Sequence, residues 1–158
     1  MHFGLELEES KSRIIEFGRH ADERCRKNGE KPGTFTFLGF THYCSKSRNG
    51  KFRVKRKTSK KKFAKKCKEV HREIAEMRIL SLPQIIKKLN QMLVGYYHYY
   101  GITDNFKGID NFCLCVRRSL FYWINRRSQK KSYTWEGFNA MMKDYPLARP
   151  KIYVSIYG

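Results

Sequence analysis

The chain has 158 residues, of which 41% are hydrophobic and 15% are aromatic, and its formal net charge is +20. This length and apolar content suffice for a buried core in one domain or two small lobes, and they exclude an intrinsically disordered tail. The 34 Lys and Arg residues against 14 Asp and Glu residues predict a polyanionic partner, with an acidic membrane surface as the second possibility.

Targeting signals and disulfides are not indicated. No run of about 18 or more apolar residues occurs, so no membrane-spanning helix is predicted. The first ten residues, MHFGLELEES, are acidic and do not show the basic-then-apolar order of a signal peptide. The five cysteines are an odd number without a CxxC pair, which favours a reducing compartment over a disulfide framework. We therefore expect a cytoplasmic protein.

The first third of the sequence predicts short strands. Residues 3–7 and 12–17 have the pattern of strands around a polar turn, whereas RKNGEKPG at 26–33 has the composition of a loop. TFTFLGFTHY at 34–43 alternates and carries large apolar groups on both faces, which predicts one strand covered on both sides. Asn49-Gly50 is a strong hairpin signal that folds KFRVKR back on FTHYCS.

The period of the apolar residues then changes to that of a helix. A stripe at steps of four and three predicts an amphipathic helix from about residue 60 to 78. Its members are Phe63, Cys67, Val70, Ile74 and Met77. A second helix is predicted from Ser81 to Gly101, and a third begins near Asp104 or Asn105.

The C-terminal residues predict one more helix and an extended tail. Thr134 is placed to cap a short helix, which Pro146 and Pro150 stop, and KIYVSIY is extended. Strands followed by helices indicate an α+β chain. We expect a small antiparallel β region, then a three-helix bundle, then a short C-terminal helix with an extended tail. The corresponding domain boundaries are residues 1–57, 58–131 and 132–158.

Positive charge is concentrated between residues 46 and 72, which hold 14 Lys and Arg residues and one acid, Glu69. Such a tract repels itself unless a polyanion neutralises it, and phosphate contacts would make binding fall steeply with salt. A solvated helix face with a loose hairpin is the alternative interpretation. The candidate nucleic-acid contacts are Arg53, Lys55, Arg56, Lys57, Lys60, Lys61 and Lys65.

Aromatic residues and a second basic cluster add candidates downstream. Tyr96, Tyr97 and Tyr100 could stack on bases or riboses, or they could belong to the core of the bundle. The second basic cluster comprises Arg117, Arg118, Arg126, Arg127, Lys130 and Lys131, of which the last four are candidate nucleic-acid contacts. Phosphate contact and a favourable interaction with a helix C-terminus are equally compatible with its arginines.

Catalytic and metal-binding patterns are weak. His42 and Cys44 lie two residues apart and Cys113 and Cys115 form CLC, but no second pair has the spacing of a zinc site. The aspartates are scattered, and no Gly-rich loop matches a phosphate-binding pattern. We therefore assign no catalytic residue, no metal ligand and no cofactor to this chain.

Four motifs resemble the C-terminal part of group II intron reverse transcriptase/maturases. GLELEESKSRIIEFGRHA resembles the palm segment downstream of the catalytic strand, and TFTFLGFTHY resembles the strand at the end of the palm. LNQMLVGYYHYYGITDNF is similar to the maturase signature of the thumb, also called domain X. WINRRSQKKSYTWEGFNAMMKDYPLARPKIY is similar to the common tail of the family. Together they cover nearly the whole chain in the family's order.

The resemblance implies which part of the chain belongs to which domain of the family and what each part binds. The palm end and basic hairpin would occupy residues 1–57, and the thumb would occupy residues 58–131. The hairpin and first thumb helix would grip an RNA template–DNA primer duplex, and the thumb would hold group II intron RNA in its splicing-competent shape. The primer-side joint would be formed by Phe37, Leu38 and Gly39.

The resemblance also implies what this chain lacks. The family's catalytic aspartate pair would lie upstream of His2, and Mg²⁺ is expected only with those aspartates. We therefore expect this chain alone not to polymerise DNA. Val94 and Tyr96 stand where many relatives carry Arg and Trp, so one phosphate contact of the family is not implied here.

Two alternative functions remain open from the sequence. The chain could be half of a split reverse transcriptase that regains activity with an upstream fingers–palm polypeptide. It could also be a generic basic nucleic-acid-binding protein that reads DNA with its third helix. In that case duplex DNA would compete as well as intron RNA.

Overall fold

A computed structural model describes residues 14–127 and 132–156. The predicted strand at residues 3–7 and the candidate contacts Lys130 and Lys131 lie outside the described residues. The chain divides between Lys55 and Arg56 into two units, which we call the N-terminal unit and the C-terminal unit. A three-stranded antiparallel sheet followed by helices confirms the predicted α+β class.

The N-terminal unit begins with a helix that the sequence pattern did not reveal. Residues 14–17 form no strand, so the prediction for residues 12–17 is wrong over its described part, and α1 follows at Arg19–Lys27. The helix is mostly polar and buries only Ala21 and Asp22, so it has almost no apolar periodicity to detect. Acidic Asp22 in the first turn and basic residues in the last turn complement its dipole.

The segment TFTFLGFTHY is two strands and not one, which corrects the prediction for residues 34–43. Strand β1 (Phe35–Phe37) pairs antiparallel with β2 (Phe40–Lys46), and Phe37 lies opposite Phe40. Leu38 and Gly39 connect them with φ angles of 51° and 82°. Two successive left-handed residues are the geometry of the tightest hairpin turns. The large apolar residues Phe37 and Leu38 are therefore exposed at a turn, by 62% and 67% respectively.

The second hairpin is confirmed at the predicted position. Strand β3 (Phe52–Thr58) follows β2 in the sheet order β1-β2-β3. Gly50 has a φ of +76°, and the Ser47 N–H donates to the Lys51 carbonyl oxygen at 2.8 Å. Asn49-Gly50 thus supplies the left-handed residue that the turn requires.

Four helices make up most of the C-terminal unit. They are α2 (Lys60–Met77), α3 (Leu82–Tyr100), α4 (Phe106–Ile124) and α5 (Trp135–Asp144). The Ser59 hydroxyl accepts from the Lys62 N–H, and the Thr134 hydroxyl accepts from the Gly137 N–H. The Ser81 N–H donates to Gln84 Oε1 at 3.1 Å, completing one side of a capping box. The helix starts predicted at Ser81 and Thr134 are confirmed.

One apolar core joins these helices. Val70 and Ile74 of α2 are buried as predicted, with the rest of the α2 stripe packed against them. Helix α5 contributes Phe138 and Met142 to the same core, so it docks on the three-helix bundle. The tail is extended: the Tyr153 and Val154 N–H groups both donate to the Gly101 carbonyl oxygen. Over the described parts of the chain, no helix is long and apolar enough to cross a membrane.

Candidate nucleic-acid interface

Helix α2 carries a stripe of exposed cations. Lys61, Lys65, Lys68 and Arg72 are all exposed and recur at steps of four, three and four residues. This is the spacing of the apolar stripe shifted to the opposite face, because both follow the 3.6-residue turn. The stripe extends about 16 Å at about 1.5 Å per residue. We call these four residues the basic stripe.

The sequence analysis found only half of the basic stripe. Lys61 and Lys65 were among the candidates, whereas Lys68 and Arg72 were not. The signal that could have found them is the continued spacing from Lys61, which is as regular as that of the apolar face. Lys60 is exposed in the first turn, where Lys60, Lys61 and Lys62 lie together without an acidic residue.

An open groove of about 240 Å³ adjoins the basic stripe within the C-terminal unit. Its described lining comprises Lys62, Lys65, Lys66 and Glu69 from α2, and Tyr96 and Tyr100 from α3. The Lys66 ammonium lies 3.6 Å from the Glu69 carboxylate, and both groups are about one-third exposed. Such a surface pair contributes little, so it does not cancel the positive potential of the groove.

Two of the three candidate stacking tyrosines pack in the core, which favours the core alternative over base stacking for them. Tyr97 is fully buried and its hydroxyl donates to the Ala148 carbonyl oxygen at 2.9 Å. The Tyr96 ring lies on Phe112 with a centroid distance of 3.7 Å. Burial raises the pKa of both hydroxyls, so they remain protonated at neutral pH. A buried ring cannot stack on a base in this conformation.

The accessible aromatic pair lies one turn further along α3. Tyr100 is half-buried at the groove, and Tyr99 packs edge-to-face on it at 4.7 Å. Tyr99 is 52% exposed. Of the predicted tyrosines, Tyr100 alone combines partial exposure with a position beside the lysines.

The residues around β3 are divided between the two units. Arg53 and Lys55 belong to the N-terminal unit and are half-buried on the strand. Arg56 is half-buried and Lys57 is exposed at the start of the C-terminal unit. Phe37, Leu38 and Gly39 lie at the β1–β2 turn, where Gly39 adopts a left-handed conformation.

Arg126 and Arg127 of the second basic cluster lie at the end of the bundle that is remote from the first turn of α2. Arg126 Cζ lies 3.4 Å from the centroid of the Tyr122 ring, and Arg126 Nη1 donates to the Tyr122 carbonyl oxygen at 3.0 Å. Arg127 Nη2 donates to the Leu80 carbonyl oxygen at 2.7 Å, just beyond the end of α2. This end lies about 27 Å along α2 from Lys60. The structure therefore does not bring these arginines together with the first-turn lysines.

Asn105 is a positioning residue that the sequence analysis did not recognise. Its side chain is buried, with 1% exposure, and Oδ1 accepts from the Thr58 N–H at 3.0 Å. Its Nδ2 donates to Thr58 Oγ1 at 2.8 Å and to the Tyr100 carbonyl oxygen at 2.9 Å. These bonds join the residue before the α2 cap to the end of α3 and thus fix the mouth of the groove. No spacing rule distinguishes this amide from an ordinary helix cap.

The two cysteines of the CLC motif lie in different surroundings. Cys113 Sγ lies 3.9 Å from the Ala148 carbonyl oxygen, whereas the hydrogen bond between the Cys67 and Cys115 thiols raises the pKa of Cys67 and lowers that of Cys115. Among residues 14–127 and 132–156, no group of three or more His, Cys, Asp or Glu side chains is placed to hold a metal ion.

The family described as "Group II intron, maturase-specific domain" matches residues 60–140, just over half of the chain. The chain belongs to this family. The resemblance drawn from the four sequence motifs is thereby confirmed for its maturase part. The matched maturase domain runs from the first residue of α2 into α5, and it contains the basic stripe and the whole groove. No curated protein and no solved structure matches the chain.

Proposed function

We propose that this chain is an RNA-binding part of a group II intron-encoded reverse transcriptase/maturase, which holds intron RNA to assist splicing. One observation carries the proposal: helix α2 carries the basic stripe and also supplies the lysines of the groove, inside the matched maturase domain. Group II intron RNA is the polyanion that a maturase domain implies. Each phosphate that a lysine neutralises releases counterions, which is the main driving force for such binding.

The start of α2 supports the same proposal, because its lysines interact unfavourably with the helix dipole. Lys60, Lys61 and Lys62 lie at the positive end of the helix dipole, and the first turn contains no acid. Each misplaced charge costs about 0.3–1 kcal/mol at low salt. A bound phosphate would offset this cost, because a helix N-terminus and nearby cations both attract anions. Local conflicts of this kind are typical of functional surfaces.

Aromatic contact supplements the charge in this proposal. Tyr100 and Tyr99 lie at the end of α3 beside the groove, and a base stacked on such a ring gains roughly 1–3 kcal/mol. The backbone of Tyr100 is held in place, because its carbonyl oxygen accepts a hydrogen bond from the Asn105 side chain. The lysines would hold the strand and the tyrosines would hold an unpaired base.

The finer part of the proposal concerns RNA-directed DNA synthesis. The template–primer duplex would contact Arg53, Lys55, Arg56 and Lys57 on β3, with the exposed turn residues Phe37 and Leu38 on the primer side. DNA synthesis requires a carboxylate pair that holds Mg²⁺. Among the described residues no group of three or more His, Cys, Asp or Glu side chains is placed to hold a metal ion, and we derive no catalytic step for this chain.

A competition titration tests the proposal. The chain is bound to labelled group II intron RNA at two salt concentrations. The three unlabelled competitors are the same intron RNA, a structured unrelated RNA of equal length and duplex DNA. Intron RNA should compete best at both salt concentrations. Equal competition by all three, collapsing at the higher salt, would contradict the maturase function and leave a generic basic binder.

The split-polymerase alternative requires a separate assay. The chain is mixed with a fingers–palm polypeptide of the same family, and primer extension is compared with that of the polypeptide alone. Extension that depends on the chain would assign it a role in DNA synthesis. Extension that is unchanged by the chain would confine the proposal to intron RNA.

A further inference from the structure

A cationic cleft in the N-terminal unit lies outside the matched residues 60–140 and outside the surface proposed above. It is formed by helix α1 and the β2–β3 hairpin and has a volume of about 580 Å³. This falls within the roughly 300–1,000 Å³ typical of small-molecule sites. Its described lining includes the cations Arg19, Arg26, Lys46 and Lys51 and the carboxylates Asp22 and Glu23. Positive charge therefore predominates among the described lining residues.

The hairpin side of the cleft is held in a fixed geometry. The Lys51 N–H donates to Ser47 Oγ at 3.2 Å, and the Ser47 N–H donates back to the Lys51 carbonyl oxygen at 2.8 Å. Gly50 adopts the left-handed conformation that closes the turn. Lys46 precedes this turn and Lys51 ends it, so the turn sets the separation of the two lysines.

On the helix side of the cleft, a buried carboxylate pairs with an arginine. Asp22 is almost fully buried, with 4% exposure, and its Oδ1 accepts from Arg26 Nε at 2.9 Å. A buried carboxylate is costly unless it is paired, so the pair holds the Arg26 guanidinium in one orientation. Arg26 itself is about half exposed. The hydrogen bond to Asp22 is made by Arg26 Nε and does not involve Nη1 or Nη2. These two terminal nitrogens form the edge of a guanidinium that can bind two phosphate oxygens at once.

We infer that this cleft binds the phosphate of a nucleotide, either free or at the end of a nucleic-acid strand. A phosphate monoester carries close to two negative charges at neutral pH, which suits several cations around one cleft. Arg26 supplies an oriented fork, and Lys46 and Lys51 supply point charges from the hairpin. Phe52 lines the same cleft and offers an aromatic surface to the ribose or base.

Calorimetric titration of the full-length chain tests the site with simple probes. Adenosine 5′-monophosphate is the free ligand, and adenosine is its control without phosphate. A short oligouridylate with a 5′ phosphate is the strand ligand, and the same oligonucleotide with a 5′ hydroxyl is its control. We expect the mononucleotide to fill one saturable site per chain and adenosine to fill none. The 5′-phosphorylated oligonucleotide should fill one saturable site in addition to any that its 5′-hydroxyl control fills on the basic stripe.

Two variants and a matched control locate the site. Arg26→Gln and Lys51→Gln should each weaken binding of the phosphorylated probe by about tenfold, as expected for loss of a charge-assisted hydrogen bond. Arg24→Gln removes the same charge from the same helix, but Arg24 pairs with Glu16 and is not among the described lining of the cleft. Arg24→Gln should stay within about twofold of the unmodified chain. If Arg26→Gln does not fold, Lys51→Gln decides, because its described bonds are made by the backbone.

Each result has a defined meaning. Binding of the phosphorylated oligonucleotide together with the mononucleotide would support a site for either source, and binding of the oligonucleotide alone would support a strand end. Absence of saturable binding, or equal weakening by Arg24→Gln and the two cleft variants, would overturn the site in favour of diffuse charge. Replacing lysines of the basic stripe should leave mononucleotide binding unchanged. The proposed phosphate site and the proposed RNA-binding surface are therefore tested separately, and either can be disproved without the other.

Discussion

Asn105 and Thr58 hold each other through two reciprocal hydrogen bonds. The Thr58 N–H donates to Asn105 Oδ1 at 3.0 Å, and Asn105 Nδ2 donates to Thr58 Oγ1 at 2.8 Å. Because Asn105 Nδ2 also donates to the Tyr100 carbonyl oxygen, one buried amide connects the start of α2, the end of α3 and the start of α4. The groove between the lysines and Tyr100 depends on this connection for its shape.

Replacing Asn105 with Ala should lower the free energy of unfolding by roughly 2–4 kcal/mol. The substitution leaves the Thr58 N–H without its side-chain acceptor, and an unsatisfied buried group costs about 1–3 kcal/mol. It also removes the hydrogen bonds from Asn105 to Thr58 Oγ1 and to the Tyr100 carbonyl oxygen, which still accepts from the Ile102 N–H. Urea unfolding measures the change. Asn111→Ala, at an exposed position of the same helix, is the control and should change stability by less than about 0.5 kcal/mol. Similar losses in the two variants would contradict the structural role of Asn105.

Two glycines on neighbouring helices should respond to alanine in opposite directions. A Cβ at Gly108 would lie 2.7 Å from Thr58 Oγ1 and would also collide with Asn105 Oδ1, so Gly108→Ala should destabilise the chain. A Cβ at Gly95 meets no described atom within 4 Å. Gly95→Ala should therefore stabilise it by about 0.5–1 kcal/mol through helix propensity. Thermal unfolding of both variants checks the signs, and stabilisation by Gly108→Ala would show that the site is not tightly packed.

Tyr97→Phe separates a core role from an RNA-binding role. The variant loses the hydrogen bond to the Ala148 carbonyl oxygen, which should cost about 1 kcal/mol of stability, whereas intron RNA affinity should stay within about twofold. Tyr100→Leu should show the reverse, with weaker RNA binding and a smaller change in stability. Binding and unfolding are measured on both variants. Loss of RNA affinity in Tyr97→Phe at unchanged stability would assign the Tyr97 hydroxyl to RNA contact instead of to the core.

Stability should fall at alkaline pH because of the two buried tyrosines. Burial raises the pKa of Tyr96 and Tyr97 in the folded chain, so the unfolded chain releases these protons first. Their stabilising contribution is complete below about pH 10, the usual tyrosine pKa, and is lost as the pH rises from there towards the raised folded pKa. Urea midpoints across this range should decline. The decline should be shallower in Tyr96→Phe/Tyr97→Phe than in Tyr145→Phe, where the exposed Tyr145 serves as the control.

The helical part of this fold follows from the sequence because its signals are local. The apolar stripe of α2, the capping residues Ser81 and Thr134, and the Asn49-Gly50 turn each depend on residues a few positions apart. The sequence left the core of the bundle open as a place for Tyr96 and Tyr97, and the density of aromatics added base stacking as a second interpretation. The burial of both rings favours the first interpretation.

Features that depend on three-dimensional context were missed. Leu38 is a bulky residue in a left-handed conformation, which no turn preference predicts, so the β1–β2 hairpin read as one strand. Helix α1 carries too few apolar residues to show a period. The role of Asn105 depends on Thr58, which is 47 residues away in the sequence. The pairing of Arg26 with Asp22 fits local spacing, but the cleft beside it requires the hairpin as well.

The salt dependence of intron RNA binding tests the central claim most directly. Lys61→Ala/Lys65→Ala/Lys68→Ala is compared with Lys87→Ala/Lys88→Ala/Lys143→Ala, a control that removes three exposed lysines from α3 and α5. If each stripe lysine contacts a phosphate, the first variant should flatten the slope of log binding constant against log salt by about two to three units, and the control should change it by less than about one. Equal slopes in the two variants would contradict a specific RNA-binding surface on α2.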